Sequence, residues 1–121
     1  MRVRVFLADD AEIMRKAIRT LLSKREDITV VGDATNIRET IQKTAELHPD
    51  LIILDVTMPE KECIAPTKVK GLLNGAKILA ITLGADDVKE ELLQGVGAAK
   101  LLDKMDLYDQ LIPAILELAP A

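Results

Sequence analysis

The chain has 121 residues, enough for one domain that buries a single substantial core. Hydrophobic residues make up 49% and charged residues 30%, which excludes an intrinsically disordered segment. The formal net charge of −4 and a pI near 5.0 carry no footprint for nucleic acid or an anionic membrane, so neither is an expected partner.

The opening MRVRVFLADD has an apolar run too short for a signal peptide, and no stretch approaches the length of a bilayer span. One cysteine, Cys63, excludes an internal disulfide, and the expected compartment is the cytoplasm.

Taken in chain order, the hydrophobic period switches repeatedly. Val3 to Ala8 is a short β-type run ending in Asp9-Asp10. Ile13, Met14, Ala17, Ile18, Leu21 and Leu22 then recur at helical spacing, with Arg15, Lys16 and Arg19 assigned to the outer face. Ile28 to Val31 reads as a second strand, stopped by Gly32-Asp33. A helix from about Asn36 carries Ile37, Ile41, Ala45 and Leu47 inward, and His48-Pro49 ends it. Leu51 to Leu54, Lys77 to Ile81 and Ala99 to Leu102 are three further strands. Helices are expected near Val69–Leu73 and over Asp86–Gln94, and a last one runs from Leu107 to Leu118. Pro113, inside that helix, should kink it or make its first turn irregular. Five strand–helix alternations predict an α/β domain with a parallel sheet and helices on both faces. The strands are apolar almost throughout, as strands covered on both faces should be. One domain over 1–121 is expected, with ELAPA as a potential linker start at 119–121.

Ligands of such sheets bind beyond the carboxyl ends of the strands. Strand one ends in Asp9 and Asp10, strand three in Asp55, strand four in Thr82, and strand five in Asp103 and Lys104. Carboxylates gathered there would repel one another unless something positive lies between them. A hard divalent cation such as Mg²⁺ meets that need. Acid, metal, ammonium and hydroxyl together suit a phosphoryl group held on a carboxylate.

In that order and spacing, FLADDAEIMR, DLIILDVTMP, ILAIT and LLDK resemble the receiver domain of two-component response regulators over essentially the whole chain. RVFLADD, DITVVGDA and HPDLIILDVTMP are most similar to receivers that precede a helix-turn-helix DNA-binding domain. The resemblance implies a doubly wound, flavodoxin-like five-stranded parallel sheet of order 2-1-3-4-5. It implies that Asp55 is the phosphoacceptor, Asp10 a direct Mg²⁺ ligand, Asp9 a ligand through water, and the Thr57 backbone carbonyl the remaining protein ligand. Thr82 and Lys104 would contact the phosphoryl oxygens. The implied partners are a sensor histidine kinase, an output domain or downstream protein, and a second copy on phosphorylation.

The chain departs from the family pattern at three places: Cys63 stands where a glycine is usual, Leu101 replaces the usual aromatic, and Met105 the usual proline. These bear on signal output more than on the chemistry. Plainer roles exist for single residues. One of Asp9 and Asp10 is expected to cap the first helix, Thr82 alone would be a strand-end hydroxyl, and Lys104 alone a surface charge. His48 reads as a helix-terminal residue suited to the dipole. An aspartate-nucleophile phosphatase would need a second carboxylate two residues after the nucleophile, where this chain has Thr57. The expectation is a switch that catalyses only its own phosphorylation and dephosphorylation. A stand-alone receiver, or a pseudo-receiver acting by protein contact alone, is the alternative.

Overall fold

Strands that are apolar at successive positions can be sheltered only by helices on both sides. The computed structural model, which describes residues 2–57, 75–84, 88 and 90–119, shows that arrangement. Its strands are β1 (Val3–Ala8), β2 (Ile28–Ala34), β3 (Leu51–Asp55), β4 (Lys77–Thr82) and β5 (Ala98–Asp103). Every pairing is parallel, and the order is β2-β1-β3-β4-β5, that of a flavodoxin-like sheet. Among the described residues the α-helices are α1 (Glu12–Leu22), α2 (Ile37–Leu47), α3 (Glu90–Val96) and α4 (Leu107–Leu118).

The two-residue period of each strand divides the core. Val3, Val5, Leu7 and Ile53 pack with Ile18 and Leu22 of α1 and with Leu107, Leu111 and Ile115 of α4. Phe6, Ile52 and Leu54 face the other way, onto Ile37 of α2 and Val96 of α3. Each fully buried leucine or isoleucine contributes about 1.5–3 kcal/mol. No helix among the described residues is long and apolar enough to cross a membrane.

Several elements differ from the sequence reading for identifiable reasons. β2 does not stop at Gly32-Asp33 but continues to Ala34. Between Val5/Phe6 and Val30/Gly32 the pairing skips Val31, a bulge in β2. Gly32 sits there because of close packing: a Cβ would lie 2.9 Å from Leu47 Cδ1 and 3.2 Å from Phe6 Cε2. In α2 the inward face includes Thr40 and Thr44, while Ala45 is exposed. The threonines are tolerated because their hydroxyls donate to the Asn36 and Thr40 carbonyls, each at 2.7 Å. In α1, Ile13 is 84% exposed rather than core. The N-cap of α1 is Ala11 with no side-chain cap, so neither Asp9 nor Asp10 caps the helix.

His48 closes α2 in the left-handed region at φ 47°, and its carbonyl accepts from Arg4 Nη1 at 2.8 Å. Its role is therefore carried by the backbone. α4 passes through Pro113, and the irregular turn lies ahead of it, a 3₁₀ turn over Lys104–Asp106. Cys63, the expected Val69–Leu73 helix, and positions 86, 87 and 89 of the expected Asp86–Gln94 helix lie outside the described residues.

Candidate phosphoryl and metal site

The sheet order makes β1 and β3 neighbours, while the chain leaving β1 returns first to β2 on its other side. A crevice opens where such connections diverge, at the carboxyl ends of β1 and β3. β1 delivers Asp9 and Asp10 there, and β3 delivers Asp55. One carboxylate oxygen from each lies within 4.8 Å of the other two. Asp9 is 1% exposed and Asp55 3%, whereas Asp10 faces solvent.

Two buried carboxylates this close require a counter-charge. Lys104, just past the end of β5, supplies it: its Nζ lies 2.9 Å from Asp9 Oδ2 and 2.9 Å from Asp55 Oδ2, with the side chain 8% exposed. Burial alone would lower the lysine pKa. The close approach of the Asp9 and Asp55 carboxylates, and the attraction of their charges, outweigh it and hold the ammonium above its ordinary value.

Asp55 Oδ1 accepts from both the backbone N of Thr57 at 2.8 Å and its Oγ1 at 2.6 Å, so the carboxylate is fixed from both ends. Asp9 Oδ1 accepts from Ala11 N at 2.8 Å. Asp9 Oδ2 forms the ion pair with Lys104 but has no well-aligned hydrogen bond, despite being buried. The short distance shows attraction, and the missing alignment leaves a lone pair unused. Thr82, the last residue of β4, is fully buried, and its hydroxyl donates to the Leu83 carbonyl at 3.2 Å.

The donor set fits a hard divalent cation. Its ligand atoms are all oxygens, one of them buried and incompletely satisfied. Three carboxylates against one ammonium leave a formal local charge of −2. Asp9, Asp10, Asp55 and Lys104 are thus brought together as expected, with Thr57 on Asp55 and Thr82 at the end of the adjoining strand.

Two residues named in the sequence reading make contacts at the site that it did not assign to them. Arg15, assigned there to the outer face, is largely buried and donates from Nη1 to the Asp9 carbonyl at 2.7 Å, with Asp33 Oδ2 3.9 Å from its Nε. The available signal was helical spacing: Arg15 lies one turn after Ala11, directly over the end of β1. Asp103 is the other, with Oδ1 accepting from Met105 N at 3.0 Å and Oδ2 from Gly84 N at 3.2 Å.

This fold and constellation define a class. The family described as the response regulator receiver domain matches residues 5–116, and the chain belongs to that family. It is accordingly a module of phosphorylation-controlled signalling.

Among curated proteins it is 40% identical over 93 residues to protein-glutamate methylesterase/protein-glutamine glutaminase 1 of Methanosarcina acetivorans, covering 74% of this chain and 26% of that protein. It is 31% identical over 104 residues to the transcriptional regulatory protein LnrK of Bacillus subtilis, covering 84% and 47%. Among solved structures, a two-component response regulator of the LuxR family from Aurantimonas sp. SI85-9A1 superposes with a TM-score of 0.81 at 26% identity, covering 98% and 85%. The regulator relatives agree with the resemblance to receivers of the helix-turn-helix class. The chain spans between about a quarter and a half of the length of these curated relatives.

Proposed function

We propose that Asp55 accepts a phosphoryl group from the phosphohistidine of a sensor histidine kinase. The observation that carries this reading is Lys104 Nζ, 2.9 Å from the Oδ2 atoms of both buried carboxylates, Asp9 and Asp55. An ammonium on the acceptor oxygen is placed to offset charge on an incoming phosphoryl group.

In the transfer, an Asp55 carboxylate oxygen forms a bond to phosphorus as the phosphorus–nitrogen bond breaks, and the imidazole leaves with the electron pair. Thr57 holds the carboxylate in orientation through its N–H and hydroxyl. Lys104 passes from the carboxylate to a phosphoryl oxygen, and the Thr82 hydroxyl gives up the Leu83 carbonyl to do the same. Asp9, Asp10, Asp55 and the Thr57 carbonyl are the residues that would hold Mg²⁺, which when bound neutralises phosphoryl charge.

The output is proposed as control of transcription, through an output domain or a phosphorylation-dependent homodimer, in the cytoplasm. The identity to a transcriptional regulatory protein supports it. The 40% identity to a methylesterase favours a second reading, in which the controlled partner is an enzyme domain.

The test is incubation with acetyl phosphate, with and without magnesium. The parent should take up one acid-labile phosphoryl group in a magnesium-dependent manner, and Asp55→Asn none. Equal incorporation in Asp55→Asn would reject the assignment.

A further inference from the structure

The two side chains proposed to grip the phosphoryl group, Thr82 and Lys104, leave the sheet from different strands. Their relative position must therefore be set by something between the strands. β4 and β5 pair so that Thr82 lies opposite Asp103, the residue preceding Lys104. We infer that Asp103 is a positioning residue for the phosphoryl site: its carboxylate joins the turn after Thr82 to the turn that carries Lys104. This role rests on the phosphoacceptor reading given above.

The two carboxylate oxygens divide the work. Oδ1 accepts from Met105 N and caps the 3₁₀ turn that begins at Lys104. Oδ2 accepts from Gly84 N, in the loop leaving β4. Gly84 has φ 80°, a conformation glycine reaches without strain, so the peptide after Thr82 is not fixed by its own backbone preference.

Burial does not fix it either, since Leu83 is exposed. The polar ties of Leu83 and Gly84 to described residues are the Thr82 hydroxyl and the Asp103 carboxylate. In the proposed transfer the Thr82 hydroxyl turns away from the Leu83 carbonyl. Among the described residues, Asp103 would then be the remaining side-chain tie between Leu83–Gly84 and β5. An ionised acceptor makes the stronger kind of hydrogen bond to a backbone N–H.

Asparagine separates this role from simple capping. It caps helical turns about as well as aspartate, but it offers one acceptor oxygen and an amide donor in place of two acceptors. With its amide oxygen kept on Met105 N as the cap, Asp103→Asn turns an NH2 group, which cannot accept, toward Gly84 N.

The experiment compares the full chain with Asp103→Asn and Asp103→Ala. It follows thermal melting, magnesium affinity, Gly84 amide exchange, and titration with beryllium fluoride in magnesium as the phosphoryl mimic. Asp103→Asn should melt with the parent and bind magnesium equally, while Gly84 exchanges faster and beryllium fluoride affinity falls about tenfold. Parent-like beryllium fluoride affinity in Asp103→Asn, with a lowered melting temperature in Asp103→Ala only, would reduce Asp103 to a cap and overturn the inference. A parent that takes up no beryllium fluoride at Asp55 would instead defeat the phosphoacceptor reading, and the positioning role with it.

Discussion

Lys104 is the residue whose meaning changes most between sequence and structure. As one lysine after a strand it has the signature of a surface charge; in the fold its ammonium lies between two buried carboxylates. Only the neighbouring motifs pointed to it, because nothing local to LLDK encodes burial. Arg15 was illegible for a related reason: its charge suggested solvent, whereas its guanidinium spans back to the Asp9 carbonyl. Removing Lys104 leaves Asp9 and Asp55 buried and uncompensated. Lys104→Ala should cost about 3 kcal/mol in denaturant unfolding without metal, and magnesium should shrink that deficit by replacing the lost charge. Because the folded-state pKa of Lys104 is raised, its contribution is fully present below the unfolded lysine value of 10.5 and is lost as pH rises through the folded value. The alkaline limb of the parent's stability curve should therefore flatten in Lys104→Ala. Asp10 faces solvent, so Asp10→Asn should leave metal-free stability nearly unchanged while weakening magnesium binding about tenfold by titration calorimetry.

The elements were legible where periodicity was long and one-sided, and misjudged where small or polar residues carried the packing. Gly32 looked like a strand terminator, yet it lies within β2 because the Leu47 and Phe6 side chains leave no room for a Cβ. Gly32→Ala should destabilise the domain by about 1–3 kcal/mol through overpacking, measured by urea unfolding. A neutral result would mean that Leu47 moves aside freely. Thr40 and Thr44 were missed in the α2 face because hydropathy does not register hydroxyls already satisfied by the preceding turn. β5 carries Leu101, half-buried and paired to Ala80, where the family pattern has an aromatic. Leucine has no phenolic hydroxyl to bury or expose. The response to a phosphoryl group should then pass through the residues after Thr82 rather than through a ring flip. Amide exchange with beryllium fluoride should change across Leu83–Gln94, and silence there would reject this route.

At the scale of the whole molecule, strand–helix alternation was enough to give a parallel sheet covered on both faces, but not its order. The order 2-1-3-4-5 came only with the family resemblance, since apolar strands of similar length carry no signal of which neighbour each will take. That order gathers Asp9, Asp10, Asp55, Thr82 and Lys104 at the carboxyl end of the sheet, where sequence separation had kept them apart. A cation bound by the native cluster and not by the unfolded chain stabilises the whole domain by mass action. At ten times its dissociation constant, magnesium should add about 1.4 kcal/mol, read as a rise in melting temperature. The central claim, that Asp55 is the group phosphorylated, is tested most directly by locating the modification. After treatment with acetyl phosphate and magnesium, borohydride reduction and peptide mass spectrometry should find the reduced acyl phosphate at Asp55; label on Asp9, Asp10, a serine or a threonine, with Asp55 unmodified, would contradict it.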